Sequence, residues 1–259
     1  MSLTAKLVAG AVCLLGLAQA RAAPPAAKLP ADGSWVGYHV NRERADGSKS
    51  TLKVTISFVG RKVEDEVACR WIEFQEVDDR GKIQLIQKCL VPEQRLRKDP
   101  NPLRHVLRYW ERDVTGKVRH FDKHVDDVLI FYLRALDISW GPSLLFLPAT
   151  KAKAKPLEKS RELEYQAGKL KIARGLTGHY ETKWRLKTVE ATSIFDTRYN
   201  VWFHRDLAMG CAAAELKTFR LVRDDQGKFL FRTPRLLWSN EYLLEDTGTK
   251  AKSALPQRQ

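Results

Sequence analysis

Beyond its first 22 residues the chain has no apolar run near the roughly 20 residues that a membrane-spanning helix needs. No span is therefore expected in the mature chain. Enzyme signatures are missing too: no G-x-S-x-G elbow, H-E-x-x-H pair, phosphate-binding glycine loop or EF-hand loop occurs. Cysteine is scarce, with four in 259 residues and no C-x-x-C pair. That leaves zinc ribbons and thioredoxin-like redox centres unsupported. There is no Asn-x-Ser/Thr acceptor. The histidines at 39, 105, 179 and 204 are scattered, so a hydrolase assembled from distant residues survives only as an alternative.

Acidic residues are outnumbered, 31 against 45 Lys and Arg, giving a formal charge of +14. Such a chain is drawn to anionic lipid or polymer. No nucleic-acid partner is expected.

The N-terminus is distinctive. Lys6 precedes an apolar run from Leu7 to Ala18, too short to span a bilayer and suited to a signal-peptide core. Ala18-Gln19-Ala20 and Ala20-Arg21-Ala22 offer cleavage sites, and Pro24-Pro25 opens an extended segment. Residues 1–22 are read as a signal peptide and 23–31 as an extended lead. A single domain then covers 32–246, with a basic linker near 150–160 and a polar, loosely held tail at 247–259. The protein is expected in the periplasm or outside the cell.

The domain reads as antiparallel strands. Residues 33–44 and 50–59 flank Ala45-Asp46-Gly47-Ser48, and Leu52, Val54, Ile56 and Phe58 alternate with polar residues. Residues 66–77 and 82–91 flank Asp78-Asp79-Arg80-Gly81, a second hairpin. Cys69 and Cys89 lie on its two arms and are a candidate disulfide in an oxidising compartment. Further strands are expected at 161–167, 169–173, 179–190, 197–205, 211–223 and 228–238.

Two helices are expected between the strand-rich halves. In 102–112, Leu103, Val106, Leu107 and Trp110 fall at helical spacing, with Arg104, Arg108 and Arg112 as a basic stripe able to meet an anionic surface. In 123–136, Val125, Val128, Leu129, Tyr132, Leu133 and Leu136 form a longer apolar stripe. His120 and His124 are four apart, but Arg119 and Lys123 oppose a cation. No metal and no cofactor are expected.

This order argues α+β: a large curved antiparallel sheet, an incomplete barrel, with one or two helices on its concave face. An apolar ligand would lie between sheet and helix. Trp71, Phe74, Leu129, Tyr132, Leu133, Leu136 and Phe203 are the candidate lining.

Four segments together resemble uncharacterised exported bacterial proteins. They are Asp32-Gly-Ser-Trp-Val-Gly-Tyr38, Cys69-Arg-Trp-Ile-Glu-Phe74, Leu144-Leu-Phe-Leu-Pro148 and Tyr199-Asn-Val-Trp-Phe-His-Arg-Asp-Leu-Ala-Met-Gly210. The layout over 32–246 also looks like the half-barrel lipoprotein carriers of the LolA and LppX type. That resemblance implies a cavity for acyl chains and a lipid or lipoprotein as partner. The leading expectation is a non-enzymatic binding protein for a lipid or other amphipathic ligand. The alternatives are a cell-envelope protein that binds anionic polymer, and a hydrolase.

Overall fold

The computed structural model describes residues 29–98, 105–122, 155–157, 159–172, 175–185, 192–204, 207, 211–223, 226–227 and 229–255. The expected signal peptide (1–22) and the expected helix at 123–136 lie outside them. So do Arg104, His124 and the 144–148 run.

Alternating polarity and Asp-Gly turns give the first four strands: β1 (Trp35–Arg44), β2 (Lys49–Glu64), β3 (Val67–Asp78) and β4 (Ile83–Pro92). Gly47 and Gly81 hold positive φ at the two turns, as the tight connections require. A short helix, α1 (Glu93–Lys98), follows Pro92. Then come β5 (Arg108–Arg112), β6 (Val118–Asp122), β7 (Lys155–Leu157), β8 (Arg161–Tyr165), β9 (Gly168–Ile172), β10 (Gly175–Arg185), β11 (Thr192–Phe203), β12 (Cys211–Arg223) and β13 (Phe229–Gly248).

Eleven strands form one antiparallel sheet in the order β6-β5-β4-β3-β2-β1-β13-β12-β11-β10-β7. The first and last long strands pair at its centre, from Trp35 opposite Gly248 to Arg44 opposite Trp238. The sheet is unclosed: among the described residues β6 and β7 end it, each paired on one side only. Register shifts at Gly37/Tyr38, Phe58/Gly60, Glu76/Val77 and Trp202/Phe203 mark bulges that bend and twist the strands. β8 and β9 form a separate hairpin that contacts β13.

The chain is thus mostly antiparallel sheet. Among the described residues α1 is the one α-helix, and it packs against β3 and β4. The expected 102–112 helix is corrected in its second half, because Arg108–Arg112 is strand β5. Tyr109 and Trp110 are both buried, one on each face of a sheet covered on both sides. Two-sided burial removes the polar/apolar alternation that normally reveals a strand. Part of the basic linker is strand as well, since Lys155–Leu157 pairs with β10.

The cysteines do not bridge. Cys69 pairs with Pro92 and Cys89 with Ile72, so the two thiols sit on different rungs and opposite faces. Cys69, Cys89 and Cys211 are all free and buried. Burial pushes the Cys89 thiol up, and raises Cys211 to about 12. At pH 8 almost none of either is thiolate, the reactive form. We expect these three thiols to be silent to a thiol reagent in the native protein and all three to react in denaturant. A non-reducing digest showing a 69–89 cross-link would contradict this.

Candidate functional site

Side chains alternate along each strand, so the register sorts them onto two faces. On the first face Leu52, Val40, Tyr242, Ala214 and Val201 form one rung across β2, β1, β13, β12 and β11. Another rung joins Phe58, Ile72, Cys89 and Tyr109 across β2 to β5. All nine are buried. Leu96 of α1, Val106 and Leu207 join the same cluster. The middle of this face is apolar from β11 to β3 and on to Cys89 and Val91 of β4, and Arg70, Glu76, Gln87, Thr197 and Thr218 are buried polar residues beside it.

Its aromatic polar atoms are anchored. The Tyr38 hydroxyl donates to the Cys211 carbonyl at 3.0 Å, and burial raises its pKa well above the ordinary phenol value. Tyr38 and Tyr242 meet edge-to-face with ring centres 6.2 Å apart. Polar groups gather at the rim. Arg42 donates to Asn240 at 3.0 Å and to Glu76 at 3.3 Å. Toward β6, Gln87 and Tyr109 surround the Glu111 carboxylate.

The second face is covered at two places. The β8–β9 hairpin lies at one. The Trp202 indole N–H donates to the Lys159 carbonyl at 2.9 Å, and Arg161 stacks 4.8 Å above that ring. Arg161 also pairs with Glu215 and Glu241. Burial alone would raise the Glu241 pKa, but Arg161 and Asn41 hold it below the usual carboxylate value.

The C-terminal segment covers the other place. Ala251 N–H donates to the Gly33 carbonyl, and a Cβ on Gly33 would collide with the Thr249 carbonyl. Ser253 donates to Glu73 at 2.6 Å, Ala254 N–H donates to the same carboxylate at 2.9 Å, and Lys88 donates to Ser253 at 2.8 Å. Leu255 is buried with Val59, Cys69, Trp71, Ile86, Leu90 and Trp110. Lys88 is 1% exposed and lies 4.9 Å over the Trp71 ring. Desolvation lowers its pKa, opposed by the Glu73 charge. The tail expected to be loose is therefore fixed as far as Leu255.

No protein-family model matches the chain, and no curated protein is similar to it in sequence. Two solved structures are similar in shape. One is described as an exported protein with a YmcC-like fold from Bacteroides fragilis; it is 8% identical, with a TM-score of 0.31, over 85% of this chain and 97% of its own. The other, described as a lipoprotein from Parabacteroides distasonis, is 10% identical, with a TM-score of 0.32, over the same shares. At these scores neither neighbour carries a function over.

The candidate lining divides. Phe74 belongs to the first face. Trp71, three residues away, points to the second, under Leu255. Phe203 ends β11 past a bulge and is partly buried against the main cluster. Leu129, Tyr132, Leu133 and Leu136 lie outside the described residues. Of the basic stripe, Arg108 is tied to Glu64 at 2.5 Å, and Arg112 is partly buried on β5. Tyr38, Val40, Tyr242, Gln87 and Glu111 were not singled out in the sequence, because their placement depends on pairings between distant strands. No described helix is long and apolar enough to cross a membrane.

Proposed function

We propose that the chain is an exported, non-enzymatic binding protein for a lipid or another amphipathic ligand held on the first face of the sheet. One observation carries the reading: an apolar surface that runs across β11, β12, β13, β1 and β2 to Phe74 and Ile72 of β3 and Cys89 of β4, with hydrogen-bonding groups at Arg42, Asn240, Glu76 and Gln87 beside it. An acyl chain laid there meets side chains of its own polarity, and a head group at the rim meets hydrogen-bonding partners. The leader at residues 1–22 supports an extracytoplasmic site of action. The resemblance of the layout to LolA- and LppX-type carriers supports the ligand class. Binding of anionic polymer through the arginine stripe is less favoured, because Arg108 is already neutralised by Glu64.

The experiment is native mass spectrometry of the protein purified without detergent. A bound species of lipid mass that organic extraction removes is expected. Ligand-free protein from every preparation, with no uptake of added lipid, would sink the reading.

A further inference from the structure

The rung Val36–Ile56–Phe74–Gln87–Glu111–Arg119 crosses six strands in register, from β1 to β6. Its first three members are apolar and its last three polar. Alternation puts all six on the first face. The polar half is a nearly closed network. Gln87 Nε2 donates to the Tyr109 hydroxyl at 2.7 Å and to Glu111 Oε2 at 3.4 Å. The Tyr109 hydroxyl donates to the same Oε2 at 2.7 Å, and Arg119 stands 3.6 Å from Oε1. Burial, reinforced by the Glu111 charge, raises the Tyr109 pKa, so this hydroxyl keeps its proton.

One atom is left over. Gln87 is 5% exposed, yet its Oε1 accepts no hydrogen bond from any described residue. The orientation of the amide follows from its neighbours. Turning it would set a carbonyl oxygen against the Glu111 carboxylate and remove an N–H from it. The vacant group is therefore an acceptor. A buried acceptor without a partner is costly, which makes the position selective for whatever supplies a donor.

We propose that this rung is the head-group subsite of the binding face, taking a neutral amphiphile whose hydroxyl or amide N–H donates to Gln87 Oε1. The apolar chain runs back over Phe74, Ile56 and Val36. The adjacent Glu111 carboxylate disfavours an anionic head, and an ester head has no hydrogen to give. This assignment rests on the reading of the first face as the ligand-binding face.

The test is a competition. Protein stripped of lipid is offered equal amounts of monopalmitoylglycerol, methyl palmitate and palmitate, and adducts are counted by native mass spectrometry. The three share one acyl chain and differ only in the head. Monopalmitoylglycerol is expected to exceed each of the others by roughly tenfold or more, as a buried polar site rejects an analogue lacking its hydrogen-bonding group. In Gln87→Leu the preference over methyl palmitate is expected to fall to about one, with methyl palmitate still bound. Equal occupancy in the unmodified protein, or a preference for palmitate, overturns the proposal alone. It would then be a water that serves Gln87 Oε1. Binding of none of the three overturns the first-face reading itself. Should the leucine variant fail to fold, the ratio in the unmodified protein decides.

Discussion

Glu73→Ala is expected to cost about 3–5 kcal/mol of stability, the usual range when one partner of a buried charged network is removed. Glu73 is 4% exposed, and its carboxylate takes the Ser253 hydroxyl and the Ala254 N–H. It sits opposite Lys88 in the β3–β4 ladder, and its charge opposes the lowering of the lysine's pKa by burial. Without it, a buried ammonium is left with one hydroxyl and the face of Trp71. The reverse change, Lys88→Met, is expected to cost less. Glu73 would keep both of its donors, and a methionine fills most of the lysine's volume. The double variant Glu73→Leu/Lys88→Met should lie well above Glu73→Ala, since an apolar pair leaves no buried charge uncompensated. Thermal denaturation reads all three. A fall in Tm of about 10 °C is expected for Glu73→Ala, taking about 2–4 °C per kcal/mol for a chain of this size. Equal losses for Glu73→Ala and Lys88→Met would show that packing, not charge, holds the C-terminal segment.

Trp202→Ala removes the largest fully buried side chain among the described residues. The expected loss is about 3–5 kcal/mol from the cavity and the lost apolar contact. The effect is not confined to β11. Trp202 holds the hairpin through its bond to Lys159 and through the Arg161 guanidinium above its ring. Arg161 in turn is the shared partner of Glu215 and Glu241. Losing the indole therefore loosens β8–β9 as a unit. Limited proteolysis should cut between residues 159 and 172 in Trp202→Ala and spare the unmodified protein. Trp202→Phe should keep part of the stability but not the bond to Lys159. An alanine variant that melts within a degree of the parent and resists protease would contradict this account of the hairpin.

The elements most legible in the sequence were those with one wet face. In β2, Leu52, Val54, Ile56 and Phe58 alternate with polar residues, and both the strand and its Asp-Gly turn stand where period two places them. Legibility failed where the sheet is covered on both sides. Trp71-Ile72 and Tyr109-Trp110 are consecutive buried residues that serve opposite faces. Without alternation, Leu103, Val106, Leu107 and Trp110 fit a helix as well as anything else. The same two-sidedness separates Trp71 from Phe74, and Cys69 from Cys89, although the sequence put the first pair in one candidate lining and the second on facing arms of a hairpin.

The tail was misread for a different reason. Lys252-Ser253-Ala254-Leu255 is short, polar and uncapped, and its partners Glu73 and Lys88 lie some 165 to 181 residues earlier. Nothing local announces a contact of that range. The head-group rung is equally silent, because it draws one residue from each of six strands. Only the pairing register brings Gln87, Glu111 and Arg119 into line.

Isoleucine methyl NMR probes the two faces separately. Ile56 and Ile72 lie on the first face, while Ile86 lies on the second, beneath the C-terminal segment. Adding monopalmitoylglycerol to lipid-free protein is predicted to shift the Ile56 and Ile72 methyl signals and leave Ile86 in place. Movement of Ile86 with Ile56 and Ile72 unmoved, or no movement at all under saturating lipid, would contradict the assignment of ligand binding to the first face.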